Sequence, residues 1–428
     1  MTRLPDLKGP ELRARETTLD RELSLYSANR LALDLSRGKP APAQLDLSHG
    51  LEQQLNDNYK SASGIDTRNY GNLRGIDEAR DLGGQLLGIP AANVIAGGNS
   101  SLFLMHLVTS TAMSQGVWGD DRRWSTTAKV KVLTPVPGYD RHFTLCDALG
   151  IGMINVQMNE HGPDMDEVEA LVAADPSIKG IWCVPKYSNP TGCVYSNETV
   201  ERCAKLPAHA AADDFLVFWD NEYGVHDFVY PAETLADILS LSKTAGTQDH
   251  IALFASTSKI TFSGGGVSFV GGSENFLNAI EKALSVMMVG PDKVNQLRHS
   301  RFLAGRLDQH MLRHAEILKP KFDIVDQILQ TELAPLGIAT WTRPKGGYFV
   351  SLDVLPGTAA ETVRLAKTTG LTLTPAGATF PGGKDPMDSN IRIAPTFATT
   401  EEITTAMEVL VLCVKLTSVR KLLKDQTA

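Results

Sequence analysis

Between about residues 94 and 270, short apolar runs alternate with segments whose apolar positions recur at helical spacing. The runs predict strands at Val94–Ala96, Lys129–Thr134, Met153–Gln157, Gly180–Val184, Phe215–Asp220, Ile251–Ser256 and Val267–Val270. Several lack the period-two alternation of a half-exposed strand, as expected when both sheet faces are covered. Helices are predicted at Ser100–Thr111 after a glycine turn, at Asp164–Ala174 with acids at its positive end, and at Asn197–His209 with Ser196 as cap. This is an α/β layout with a mainly parallel seven-stranded sheet.

After about residue 300 the texture changes. One long helix is expected over Arg301–Glu332, interrupted at Pro320. Strands at Ile338–Trp341 and Gly347–Leu352, a helix at Ala359–Thr368, a strand pair at Leu371–Thr374 and Asn390–Ala394, and a closing helix at Thr400–Leu423 follow. The expected division is an N-terminal segment, 1–45, packing with a small α+β domain, 301–428, and a large domain, 46–300. No internal repeat or low-complexity tract is visible.

A length of 428 residues agrees with two domains. A net charge of −8 argues against a nucleic-acid or anionic-membrane partner. No apolar run reaches the ~18 residues of a membrane helix, and the N-terminus lacks a signal-peptide core. The five cysteines are scattered without a Cys-x-x-Cys pair, which fits a reducing cytoplasm rather than disulfides or structural zinc.

Ligands of α/β sheets bind beyond the carboxyl ends of the strands, so the polar residues there carry the candidate chemistry. Gly97-Gly98-Asn99-Ser100-Ser101 opens a helix and suits a phosphate, although a capped tight turn explains it equally. Pro137-Gly138-Tyr139 holds an aromatic ring at the sheet edge, as a core tyrosine also would. Asn189-Pro190-Thr191-Gly192 is turn chemistry whose asparagine faces the presumed site. Asp220 ends an apolar strand, either as a helix cap or as the counter-ion of a cationic ring. Lys259 follows Ile251–Ser256 and precedes three glycines. Burial disfavours a charged lysine, and a neutral amine attacks carbonyls, the chemistry of a Schiff-base lysine. Ser256-x-x-Lys259 also matches the motif of serine acyltransferases, but those place it at a helix start, and no Ser-Asp-Asn occurs here.

Gly38-Lys39-Pro40, Tyr70-Gly71-Asn72, Gly97–Ser100, Pro137–Tyr139, Asn189–Gly192, Asp220-x-x-Tyr223, Ser256-x-Ser258-Lys259, Pro344–Phe349 and Asn390–Ala394 stand in one order along the chain. Together they resemble the fold-type I, pyridoxal phosphate-dependent aminotransferases, most closely the bacterial type Ic aspartate aminotransferases. The resemblance implies that Lys259 forms the Schiff base and moves protons, and that Asp220 pairs with the ring nitrogen. It implies that Tyr223 and Asn189 bind the phenolate oxygen and that Tyr139 stacks on the ring. Gly98, Asn99, Ser100, Ser256 and Ser258 would hold the phosphate. Tyr70 would reach the phosphate of a neighbouring subunit in a homodimer. Arg392, with Asn189 and the Gly38 backbone, would take the substrate α-carboxylate.

Two departures stand out. The family's phosphate arginine, about eight residues after the lysine, is replaced by Gly264-Gly265-Gly266-Val267, leaving Arg68 and Arg74 as candidate substitutes. The partner-subunit segment that often supplies a side-chain-binding arginine reads Met287-Met288-Val289-Gly290-Pro291, leaving Arg37, Lys39 and Arg141. The expected reaction is amino transfer from L-aspartate to 2-oxoglutarate. Alternatives are an aromatic or broad-range aminotransferase, a β-lyase, or a transcription regulator on the same domain. Against the regulator, only 37 residues precede Gly38, too few for a winged helix.

Overall fold

The computed structural model describes residues 3–28 and 31–427. Residues 1–2, 29–30 and 428, which belong to the expected units 1–45 and 301–428, lie outside the described residues. β1 (Leu33–Asp34) precedes a large sheet made of β2 (Val94–Ala96), β3 (Lys131–Val136), β4 (Gly152–Asn159), β5 (Gly162–Pro163), β6 (Ile178–Cys183), β7 (Leu216–Asp220), β8 (Ile251–Ser256) and β9 (Ser268–Gly271). The order across it is β2-β9-β8-β7-β6-β3-β4-β5. The five central strands, β8, β7, β6, β3 and β4, run parallel. β9 is antiparallel to both β8 and β2, and β5 is antiparallel to β4. The seven predicted strands are all present, and the two-residue β5 is the eighth member.

Alternate side chains of β8 explain its unbroken apolar run. Ile251, Leu253 and Ala255 enter one core, and Ala252 and Phe254 enter the core on the opposite face. Helix Met165–Ala174 is capped by Asp164 and helix Asn197–His209 by Ser196, each side chain accepting from the free N–H groups of the first turn.

β10 (Ala339–Trp341), β11 (Val350–Val354) and β13 (Asn390–Ile393) form a small antiparallel sheet. β12 (Leu371–Thr372) pairs parallel with β1 instead. The expected strand pair at 371–374 and 390–394 is therefore not a pair: each strand has another neighbour. Leu4, Leu7, Leu12 and Leu23 from the N-terminal segment share a core with the closing helix Thr400–Thr427.

The expected helix over 301–332 is also corrected. It is two helices, Lys293–Leu303 and Leu307–Glu332. The break falls at Gly305, whose φ of +65° is left-handed. Pro320 lies inside the second helix without ending it. It and Glu316, the residue whose carbonyl loses its helical donor, are both on the exposed side, open to solvent. This helix touches both cores, through Leu307 and Met311 at one end and Leu318, Val325 and Leu329 at the other.

Candidate active site

The carboxyl ends of β3, β6, β7 and β8 lie along one edge of the sheet, and residues that follow them meet Gly38 and Arg392 around a cavity of about 650 Å³. Tyr139, Asn189, Tyr223 and Lys259 line it with Gly38 and Arg392. Gly38 packs so closely on Phe349 that an added Cβ would stand 2.4 Å from its ring.

Lys259 Nζ donates to Glu222 Oε1 at 3.2 Å and lies 5.0 Å from the centre of the Tyr223 ring. Burial at a strand end predicts an easily deprotonated lysine. Burial does push Lys259 down, but Glu222, Tyr139, Tyr348 and Asp220 outweigh it and hold the ammonium above the ordinary lysine range. In this state Lys259 is a charged ion-pair partner, and a neutral amine requires removal of its proton.

Asp220 is buried, and its Oδ2 accepts from His142 Nε2 at 3.0 Å. His142 stacks on Trp182 at 4.2 Å and meets the Tyr139 ring edge-on at 5.0 Å. Arg392 lies over the Phe349 ring, and its Nη1 donates to Asp140 Oδ1 at 2.9 Å and to Asn189 Oδ1 at 3.2 Å.

The loop after β2 approaches Lys259 from the side. Gly98 adopts φ +71°, and the Asn99 carbonyl accepts from Ser258 Oγ at 3.2 Å. The Ser258 N–H donates to Ser256 Oγ, which itself donates to Glu222 Oε1 at 2.8 Å. Ser100 stands at the N-cap of helix Ser101–Ser114 with its hydroxyl not used as a cap. Tyr70 is 81% exposed and does not line its own chain's cavity.

Four histidines grip the turn at 259–261 from behind. His310 and His314 donate through Nε2 to the Ile260 carbonyl at 2.7 and 3.0 Å. His226 Nε2 lies 3.4 Å from the Lys259 carbonyl, and His299 Nε2 pairs with Thr261 Oγ1 at 2.9 Å. Gln44 Nε2 bonds both His314 Nδ1 and the Tyr348 hydroxyl. Burial pushes His226 and His314 down to about 3 and His299 to about 4.

The residues present fit pyridoxal phosphate. Asn189 Nδ2, a donor, and Asp220 Oδ1, an acceptor, are buried without partners, as groups awaiting a phenolate oxygen and a protonated ring nitrogen would be. The candidate phosphate cations do not remain free: Arg68 is paired with Asp66, and Arg74 with Glu274 and Glu281. Arg37 and Arg141 line the cavity, whereas Lys39 lies over the Phe397 ring. Sequence reasoning missed Glu222, His142, Asp140 and Lys367, which also lines the cavity. Glu222 had a signal, a second carboxylate two residues past an apolar strand. His142 had a weaker one, lying three residues past Tyr139 on the helix it opens.

A family model described as aspartate amino-transferase matches residues 9–426. A Mycolicibacterium smegmatis relative named only as an aminotransferase is 47% identical, covering 97% of this chain and 98% of that one. An aspartate aminotransferase of Corynebacterium glutamicum is 42% identical over 93% of this chain and 92% of its own length. The crystal structure of an aspartate transaminase from Corynebacterium glutamicum superimposes with a TM-score of 0.94 at 41% identity, covering 98% of this chain and 99% of that one.

Proposed function

The chain belongs to the aspartate aminotransferase family of fold-type I, pyridoxal phosphate-dependent enzymes, and on that premise we propose that it transfers the amino group of L-aspartate to 2-oxoglutarate, with Lys259 as the residue that binds the cofactor covalently. The observation that carries this reading is the convergence on one cavity of a lysine, a buried arginine and an asparagine with an unpaired donor.

Pyridoxal phosphate, when bound, supplies an aldehyde that takes up the amino group and a ring that withdraws electrons from the substrate Cα. Lys259 Nζ, once neutral, takes the Cα proton and returns it. Asp220 Oδ1 would hold the protonated ring nitrogen, while His142 holds Oδ2 and fixes the carboxylate plane. Asn189 Nδ2 and the Tyr223 hydroxyl would hold the phenolate oxygen, and Tyr139 would cover the ring. Gly98, Asn99, Ser100, Ser256 and Ser258 would hold the phosphate. Arg392 binds the α-carboxylate, which takes over the contact now made by Asp140.

Arg37, Arg141 and Lys367 favour a second carboxylate on the substrate. All three line the cavity, are exposed, and have no carboxylate partner among the described residues. The homodimer is part of the same reading. The loop that carries Tyr70 is joined to the segment with exposed Val286, Met287 and Val289, because the Gly71 N–H donates to the Val289 carbonyl at 3.1 Å. Lys293 Nζ fastens this loop through the carbonyls of Asn69 and Gly71, both at 2.7 Å. A second copy packed on that face would receive Tyr70 at its phosphate. The division near residues 45 and 300 also belongs to the proposal, because Arg392 lies on β13 and moves with the small sheet when the cavity closes. The five cysteines remain free, which suits the cytoplasm.

Visible absorbance of the purified protein, followed while single amino acids are added, tests the function. L-aspartate is expected to shift the band fastest. A faster shift with an aromatic amino acid would replace the donor, and a colourless protein that takes up no pyridoxal phosphate would end the reading.

A further inference from the structure

Glu222 has no part in the chemistry described so far, yet it touches the reacting nitrogen. Its Oε1 receives both Lys259 Nζ at 3.2 Å and Ser256 Oγ at 2.8 Å. Its Oε2 is buried without any partner, and the residue as a whole is 7% exposed. Asp220, Tyr139, Tyr223, Tyr348 and His226 surround the pair, and Asp220 is the other carboxylate.

The charges around this pair do not balance once a phosphate arrives. Ser256, which holds Glu222, also sits in the chain of contacts that joins Ser258 to the Asn99 loop. The segment Gly264–Gly266 offers backbone only, tied by Asn295 Nδ2 to the carbonyls of Gly265 and Gly266. Arg68 and Arg74 are held by other carboxylates, and Arg392 by Asp140. When Lys259 gives up its charge, Glu222 is left as a buried anion with no other cation in hydrogen-bond contact among the described residues, an expensive state. Lys259 meanwhile has to lose a proton before its lone pair is available.

We propose that Glu222 is a catalytic residue that takes the proton of the Lys259 ammonium as the cofactor enters and gives it back when the lysine is released. One N–H bond at Nζ breaks and one O–H bond at Oε1 forms. The nitrogen keeps its electron pair, the carboxylate loses its charge, and no proton passes to solvent. Both obstacles, a charged amine and a stranded carboxylate, are removed by one transfer along an existing hydrogen bond. This inference rests on the reading of Lys259 as the cofactor lysine.

Difference infrared spectroscopy between apo- and holoenzyme tests it, with borohydride reduction and peptide mapping of the same holoenzyme. On adding pyridoxal phosphate, the wild type should gain the carbonyl stretch of one protonated carboxyl group. That band should be missing from Glu222→Gln and shifted in frequency in Glu222→Asp. In the apoenzyme, the pH at which Lys259 reacts with an amine reagent should fall by roughly 1–3 units in Glu222→Gln. A wild-type holoenzyme without the band, or a band unchanged in either variant, overturns the proposal. Mapping separates the two readings. Label on Lys259 without a Glu222 band overturns the proton transfer alone, and label on another lysine overturns both. Should Glu222→Gln fail to fold, the wild-type band and its shift in Glu222→Asp decide the question.

Discussion

The two sides of the Lys259 turn use similar residue types under opposite rules. On the cavity side, Asn189 Nδ2, Asp220 Oδ1 and Glu222 Oε2 are buried with no partner. On the far side, the Lys259 and Ile260 carbonyls, Thr261, Gln44, His299, His310 and His314 are joined by hydrogen bonds. His226 Nδ1 is buried on this side without a partner. A buried polar atom without a partner costs about 1–3 kcal/mol. A fold tolerates three of them beside one lysine where a ligand completes the bonds. The paired side is built as scaffold, and the unpaired side is the binding surface of the proposed function. His142 belongs to both: it satisfies one oxygen of Asp220 and leaves the other open.

Substitutions should separate the sides. Lys259→Ala removes nucleophile and base together, and turnover should fall by at least about 10⁴-fold. Near-wild-type turnover in a steady-state assay would remove Lys259 from the mechanism and with it the contrast. Asp220→Asn keeps the shape but not the charge. A loss of about 10²–10³-fold in kcat is expected, on the scale of one preorganised electrostatic partner, with melting temperature little changed. A large fall in stability with intact kcat would move Asp220 to the scaffold side.

The far side should announce itself through acid. His226, His299 and His314 are held neutral by burial, down to about 3, 4 and 3, against an ordinary value of 6.5. Below 6.5 the unfolded chain binds protons that the folded chain refuses. Stability is therefore complete above pH 6.5 and declines as pH falls toward 4, by roughly 1.4 kcal/mol per unit for each histidine. Chemical unfolding at a series of pH values measures the slope, and replacing His299 by Gln should flatten it by one histidine's share. An unchanged slope would mean that His299 takes up its proton in the folded state. The smallest effect is expected at the cavity rim. Arg141→Ala should raise KM for aspartate by roughly 2–5-fold, about the strength of an exposed ion pair, while leaving KM for L-alanine unchanged. An equal change for both donors would deny Arg141 any role in reading the side chain.

Much of this site was legible because strand ends leave a simple signature. Apolar runs place Tyr139, Asn189, Asp220 and Lys259 near one edge of a parallel sheet, and the structure brings them there. Arg392 and Gly38 lie far away in the chain and were reached through their motifs, not their periodicity. Glu222 was passed over because it follows Asp220 within a polar tetrapeptide, where spacing does not say which carboxylate turns toward the lysine. The break at Gly305 was misplaced because Pro320 is the stronger local breaker, and only its exposed setting makes it harmless.

By itself, then, the sequence determined the layers, the order of the strands along the chain and the lysine at a strand end on which the proposal rests, since covered strands, caps and glycine turns are written locally. Tertiary structure alone decided which charges neutralise which. It gave Arg74 to Glu274 and Glu281, Arg392 to Asp140, and Lys259 to Glu222. Electrostatic pairing depends on distances of a few ångströms between residues up to about 400 positions apart, and burial sets its strength. Neither quantity exists until the chain is folded.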